Sequence, residues 1–368
     1  MATYNAQGNK IVELYYNCRD YGVKPSNADN TAAMQALVDM VHDRGGGIIW
    51  VPIGVYPFHK DGANTSGSSG DYNNVYLKSR VSILGESITG SVFELSGDTQ
   101  TGCSMFAYYS EANGGAMIEG CTISNFTVDL SKQTMATYTH RGKAFFMSGV
   151  KDCVFRDLRL ISTPSTAFGI DMLDNVVMDS IYVYQGGREW VEGGPGGAGI
   201  GIGTGGLENE NYIIRNCVCD SCGHFGIFLE DQGIFGNPPV QNYPKGQIIA
   251  NNVVRNGRYY GIGVRGGKNV VITGNNLYEN VGGVYLDYGA KNVMVTNNIV
   301  QGSTEAGLVF SDDDASTSIH FNQTYPCDSI IVTGNGFFEN AVGIKKETAP
   351  TNSQIANNVF VGNTTDEA

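Results

Sequence analysis

Charge is scarce in this chain. Only 16% of its 368 residues are Asp, Glu, Lys or Arg, and 23 basic residues face 36 acidic ones, a formal net charge of −13. That balance argues against nucleic acid and against anionic membrane surfaces as partners, since both repel an acidic protein. It also weakens a strongly anionic polysaccharide as substrate unless Ca²⁺ or a local basic patch intervenes. No run of 18 apolar residues occurs, so no membrane-spanning helix is expected. The opening Met1-Ala2-Thr3-Tyr4-Asn5 has no basic stretch leading into an apolar one, and no signal peptide is expected. Helical periodicity is missing from the second half, which excludes a helical solenoid.

A repeat stands in its place. Ile249, Ile272 and Val295 are 23 residues apart, and each opens the same pattern of an apolar residue, two small or polar ones, Asn, one residue, then an apolar residue. The asparagines are Asn252, Asn275 and Asn298, and Val332 and Ile355 repeat the pattern with Asn335 and Asn358. A unit this short cannot bury its own apolar face, so successive turns must stack. Short strands, 50 glycines and an asparagine ladder predict an all-β, right-handed parallel β-helix. Ile214, Met178, Phe155 and Ile123 carry the register backwards. Longer steps mark insertions, the three largest being Gln185–Gly197, Asp231–Pro244 and Asp312–Cys327. Such insertions map to loops, often around a binding face.

A single domain, 1–368, is expected, with residues 1–60 as a cap and first strands and 61–368 as coils. Asp29 or Asn30 can cap an α-helix whose apolar positions are Ala33, Leu37, Val38 and Val41 and which ends at Gly45-Gly46-Gly47. This helix closes the open end of the solenoid.

Asp20-Tyr21-Gly22, the run from Asn30 to Leu37 and the run from Gly45 to Tyr56 resemble the N-terminal signature of the pectate-lyase-like superfamily. The resemblance implies the same β-helix, in a superfamily that holds lyases, glycosidases, epimerases, esterases and phage tailspikes.

Each turn also carries a Gly-apolar-x-apolar-x strand, whose x positions face outward. Stacked on their glycines, these strands predict two ladders. One reads Asp171, Gly201, Phe228, Gly263, Tyr285, Val309, and the other Leu173, Gly203, Glu230, Arg265, Asp287, Ser311. Bare glycines, two aromatic rings and a Glu-Arg-Asp column describe a groove for a glycan: Phe228 and Tyr285 offer faces for sugar rings. A plain cross-strand ion-pair ladder is the alternative. Glu230 and Asp287, two rungs apart, are the expected acid pair of an inverting glycosidase, with Asp171 and Asp231 as competing members and Arg265 as a substrate contact.

A lyase or epimerase needs a cation and a proton-transferring base, for which Lys143, His224, Tyr259, Tyr260 and Arg265 are available. Gly142-Lys143-Ala144-Phe145-Phe146 and Ala167-Phe168-Gly169-Ile170-Asp171 are similar to the catalytic stretch of mannuronan C5-epimerase modules. The resemblance implies a glycan near Lys143 and a catalytic Asp at Asp171. Phe168 stands where that family has Tyr, and Leu173 where it has His. Gly223-His224-Phe225-Gly226 echoes the polygalacturonase Gly-His-Gly loosely, which makes His224 a candidate substrate contact. Cys217, Cys219, Cys222 and His224 have metal-site spacing, but small inward residues explain the cysteines, and no metal or other cofactor is expected. Asp312-Asp313-Asp314 is a Ca²⁺ candidate or an exposed acidic loop.

The expected function is a glycoside hydrolase acting on a glycan, with lyase or C5-epimerase chemistry as the runner-up. A phage tailspike or receptor-binding fibre without catalysis, packed as a homotrimer, is the non-enzymatic alternative. The fold type suits an extracellular setting: secreted, cell-surface or virion.

Overall fold

In the computed structural model, the described residues are 3–4, 10–11, 15–60, 64–65, 72–207, 209–232, 245–311 and 326–368. Asp312-Asp313-Asp314 and most of the insertions Asp231–Pro244 and Asp312–Cys327 lie outside them.

The repeat dictates the architecture. From Ile200 onward each coil contributes three short strands, such as Ile227–Asp231, Gln247–Ala250 and Val253–Arg255. The next coil repeats them as Tyr260–Arg265, Lys268–Thr273 and Asn276–Tyr278. Each strand pairs in parallel with its counterpart one coil on, so that Ile249 meets Ile272 and Val254 meets Leu277. The chain is a right-handed parallel β-helix with apolar side chains stacked along its axis.

The ladder asparagines sit at one corner of the coil. Asn252 Nδ2 donates to Asn275 Oδ1 at 3.0 Å, and Asn275 Nδ2 to Asn298 Oδ1 at 2.9 Å. The same oxygens also accept the backbone N–H of the preceding rung, at 2.9 Å in each case. Cys217 is the top rung, its N–H donating to Asn252 Oδ1 at 2.9 Å. The residue before each ladder position is left-handed: Asn251 (φ 56°), Gly274 (66°), Asn297 (56°) and Gly334 (69°). Only Gly and Asn take that conformation cheaply, which is why the two alternate there.

The helix Thr31–Asp43 buries Met34, Leu37, Val38 and Val41 against the first coils. Its capping oxygen comes from Asp29, whose Oδ1 accepts from Thr31 N–H at 3.0 Å and from the Thr31 hydroxyl at 2.6 Å. Asn30 instead ties the entry loop together, its amide donating to Lys24 O and Pro57 O.

Candidate functional site

Parallel pairing sets which side chains share a column. The strand Phe168–Tyr184 aligns Gly169 with Gly201 and Asp171 with Gly203. Gly203 then meets Glu230, Glu230 meets Arg265, and Arg265 meets Asp287. The outward column is therefore Asp171, Gly203, Glu230, Arg265, Asp287, and the neighbouring one is Phe146, Gly169, Gly201, Phe228, Gly263, Tyr285. This corrects the expected ladders by two residues at one strand, placing Asp171 in the charged column. Leu173 is not outward at all: its side chain is fully buried in the core. A slip of two leaves the inward–outward alternation unchanged, so hydrophobic patterning cannot detect it.

The two columns floor a pocket of about 380 Å³ that gathers Lys143, Asp171, His224, Phe228, Glu230 and Arg265. Its far wall is Gly194, Pro195 and Gly196, from the insertion after Gln185. That insertion is pinned along the coil by N–H donation from Gly187 to Ser165 O, Arg188 to Thr163 O and Glu189 to Pro164 O. Glycine is needed at Gly203, where a methyl group would collide with the Asp171 carboxylate. At Gly169 a methyl would lie 2.7 Å from Lys143 Nζ. The glycines let two charged side chains lie flat over the sheet.

Burial pushes the carboxyl groups of both Asp171 and Glu230 above the ordinary range. For Asp171 the Lys143 charge and the Gly203 N–H oppose the rise, while Glu111 adds to it. For Glu230 Arg265 opposes it and the Asp171 charge adds to it. The Arg265 guanidinium is 3.1 Å from Asp287 Oδ2 and 3.6 Å from Glu230 Oε1, and it also faces the Tyr288 and Phe228 rings at 4.9 and 5.5 Å. Burial lowers its pKa, but Asp287 and Glu230 raise it further, so it stays charged.

The His224 ring is stacked between Trp190 (centroids 4.4 Å apart) and Tyr259 (4.9 Å). Burial, and then the Arg265 charge, lower its pKa to about 3, leaving a neutral imidazole whose Nδ1 has no hydrogen-bond partner. Phe228 stacks face to face on Phe225 at 4.5 Å.

Three expected site residues are placed elsewhere. Asp287 is 1% exposed, does not line the pocket, and sits on the rung next to Arg265 as its counter-ion. Asp231 follows the outward Glu230 and so points into the coil, 3.3 Å from Lys268 Nζ. Tyr285 packs in an apolar cluster with Phe225, Phe228 and Tyr260 instead of lining the pocket. Sequence reasoning passed over Trp190, Gln232 and the buried Glu210. Trp190 lies in a loop with no periodic signal. Glu210 accepts from the Thr204 hydroxyl at 2.8 Å and from the Gly205 N–H, and burial pushes it up to about 7.

With this geometry the chain can be compared with known proteins. Residues 120–323 and 230–367 match the family profile described as periplasmic copper-binding protein (NosD). Mannuronan C5-epimerase AlgE3 of Azotobacter vinelandii is 23% identical over 331 residues; that alignment takes in 89% of this chain and 13% of the relative's length. Among solved structures, the A-module of Azotobacter vinelandii mannuronan C5-epimerase AlgE4 superposes with a TM-score of 0.68 at 15% identity, covering 96% of this chain and 97% of that one. The tailspike of E. coli bacteriophage HK620 in complex with a pentasaccharide gives 0.67 at 14%, covering 99% and 62%.

The copper in the family's description finds no ready cluster of ligands: among the described residues no three His, Cys, Asp or Glu side chains converge. Cys217, Cys219 and Cys222 are inside the coil, whereas His224 is in the aromatic stack outside it. Burial pushes the Cys217 thiol up to about 12, and Cys219 is raised as well, first by its contact with Cys222 and then by burial. Thiols held in that form are poor metal ligands.

Proposed function

The chain belongs to the family described as periplasmic copper-binding protein (NosD), and from its pocket of paired acids we propose that it is an enzyme hydrolysing glycosidic bonds in an oligo- or polysaccharide. One observation carries this reading: Asp171 and Glu230 lie two rungs apart over Gly203, facing one pocket. Two parallel rungs separate the backbones by about 9–10 Å. Side chains leaning together bring the carboxyl groups into the range of about 6.5–9.5 Å at which a water fits beside a sugar ring, as in inverting glycosidases.

The surroundings suggest the division of labour. Arg265 lies closer to Asp287 than to Glu230, and the Asp171 charge disfavours ionisation of Glu230. Glu230 is the general acid: its O–H protonates the leaving oxygen as the C–O bond breaks. Asp171 is the general base: burial raises its pKa, the Lys143 charge and the Gly203 N–H oppose that rise, and its carboxylate takes a proton from the water whose oxygen bonds to the sugar carbon. Phe228 and His224 provide faces against which the ring packs. The pentasaccharide bound by the HK620 tailspike and the mannuronan for which the epimerases are named support a glycan substrate.

A second reading, C5-epimerisation or lysis of a uronate polymer, is favoured by Lys143 lying beside Asp171 together with the similarity to the epimerases. Against it, Phe168 and Leu173 are buried in the core and supply no proton-transfer group. The test is to incubate the protein with a glycan panel, following reducing ends and absorbance near 235 nm together. Reducing ends without absorbance support hydrolysis. Absorbance, or solvent deuterium entering at C5, sinks it in favour of the second reading.

A further inference from the structure

Among the described residues, the two permanent cations lining the pocket, Lys143 and Arg265, already face carboxyl groups. The Lys143 ammonium is over Gly169, 4.0 Å from the Phe146 ring centroid, and its charge acts on Asp171. Arg265 is shared between Asp287 and Glu230. Behind Asp171 stands Glu111, whose carboxylate accepts from the Ser148 hydroxyl at 2.8 Å, and Ser148 aligns with Asp171 one rung away. Two permanent cations thus meet four carboxyl groups. Even with one acid protonated, as the proposed hydrolysis requires, carboxylates outnumber cations. The whole chain, at −13, adds to that field.

A sugar bearing a carboxylate, sulfate or phosphate would lose hydration on entering, and among the described residues both permanent cations it would meet are already engaged by carboxyl groups. Sugar hydroxyls, by contrast, donate readily to a carboxylate-rich floor, and the C–H face of a pyranose packs on Phe146, Phe228 or His224.

We propose that this pocket selects an electrically neutral sugar, a hexose or N-acetylhexosamine unit free of acidic substituents. The proposal deepens the hydrolytic reading and relies on it for the identity of the reacting ring, but it concerns binding and can fail separately. It also sets this chain apart from relatives named for mannuronan, a uronate polymer.

The experiment compares the wild-type protein on two oligosaccharide pools of matched length. One pool is neutral hexose and N-acetylhexosamine oligomers; the other is uronate oligomers including mannuronan and galacturonan fragments. Retention on the protein and release of reducing ends are both measured, at about 0.05 and about 0.5 M salt. A member of the neutral pool should be retained roughly tenfold more tightly than any uronate, about 1.4 kcal/mol. Its retention should change less than about twofold between the two salts. Tighter binding of a uronate, or no binding of any neutral oligomer, overturns the proposal. The two readings separate cleanly. Neutral oligomers retained but left uncut keep the neutral pocket and sink hydrolysis, whereas uronates cut to reducing ends without absorbance near 235 nm keep hydrolysis and sink the neutral pocket.

Discussion

Asp171 and Glu230 stand in one outward column with only Gly203 between them. A parallel ladder fixes their backbone separation more tightly than two loops could, because each rung is hydrogen-bonded to the next. Glu230→Gln and Asp171→Asn keep the shape of each side chain and remove its acid–base function. Each is expected to lower kcat by about 10²- to 10⁴-fold, with Tm nearly unchanged. Activity retained in both variants would retire the pair.

Gly203 is the spacer of that pair. Its backbone is not left-handed, so Ala is conformationally acceptable there, but the added methyl collides with the Asp171 carboxylate. Gly203→Ala should displace Asp171 and cost roughly 10²-fold in kcat, the penalty of a misplacement of about 1 Å. Steady-state kinetics beside a thermal melt checks this: a large fall in Tm with normal turnover of the surviving protein would contradict it.

Asp287 has a structural task distinct from the pair's chemistry. It is buried on the rung next to Arg265, 3.1 Å from its guanidinium, so Asp287→Ala leaves a mostly buried guanidinium without its nearest anion. The expected loss of stability is about 3–5 kcal/mol in a urea titration. A variant as stable as wild type would mean that Arg265 is solvated or paired otherwise.

Much of this was readable from the chain. The 23-residue spacing of Asn252, Asn275 and Asn298 specifies the coil, because an inward Asn must stack on its like to satisfy its amide. The helix Thr31–Asp43 was legible for the same kind of reason, a periodic apolar face between a capping residue and glycines. Asp231 was also legible in principle: it follows the outward Glu230, so alternation alone turns it inward. The position of Asp171 was not. Gly169-Ile170 imitates Gly199-Ile200, and only backbone pairing reveals that Gly169 sits beside Gly201. Nor does sequence say what covers an outward residue, which is why Asp287 and Tyr285 looked like groove residues.

The asparagine ladder makes a sharp prediction. Asn298 Oδ1 accepts from both the N–H and the amide of Asn275, while its own Nδ2 donates to Ile272 O and Asn335 Oδ1. Asn298→Ala strands buried donors on Asn275, at about 1–3 kcal/mol for each group left unsatisfied. The urea midpoint should fall by the corresponding amount, while catalysis at the distant pocket stays within about twofold. An unchanged midpoint would show that water or a backbone shift replaces the rung.

Glu210 gives the protein a pH dependence of known sign. Burial pushes its carboxyl from an ordinary 4.5 up to about 7, so the folded state holds the proton more tightly than the unfolded state does. Between those values the unfolded chain binds fewer protons, and the contribution of this group to stability falls as pH rises, levelling off above about 7. Below about 4.5 both states are protonated, and the stabilising contribution is fully present. Glu210→Gln abolishes the titration while keeping an oxygen for the Thr204 hydroxyl and the Gly205 N–H. Urea titrations of both proteins at pH 5 and pH 8 should therefore show the wild type losing more stability across the interval than the variant. Parallel curves would place the carboxyl's titration outside it, and a wild type gaining relative to the variant would mean that the donors around Glu210 hold it ionised against its burial.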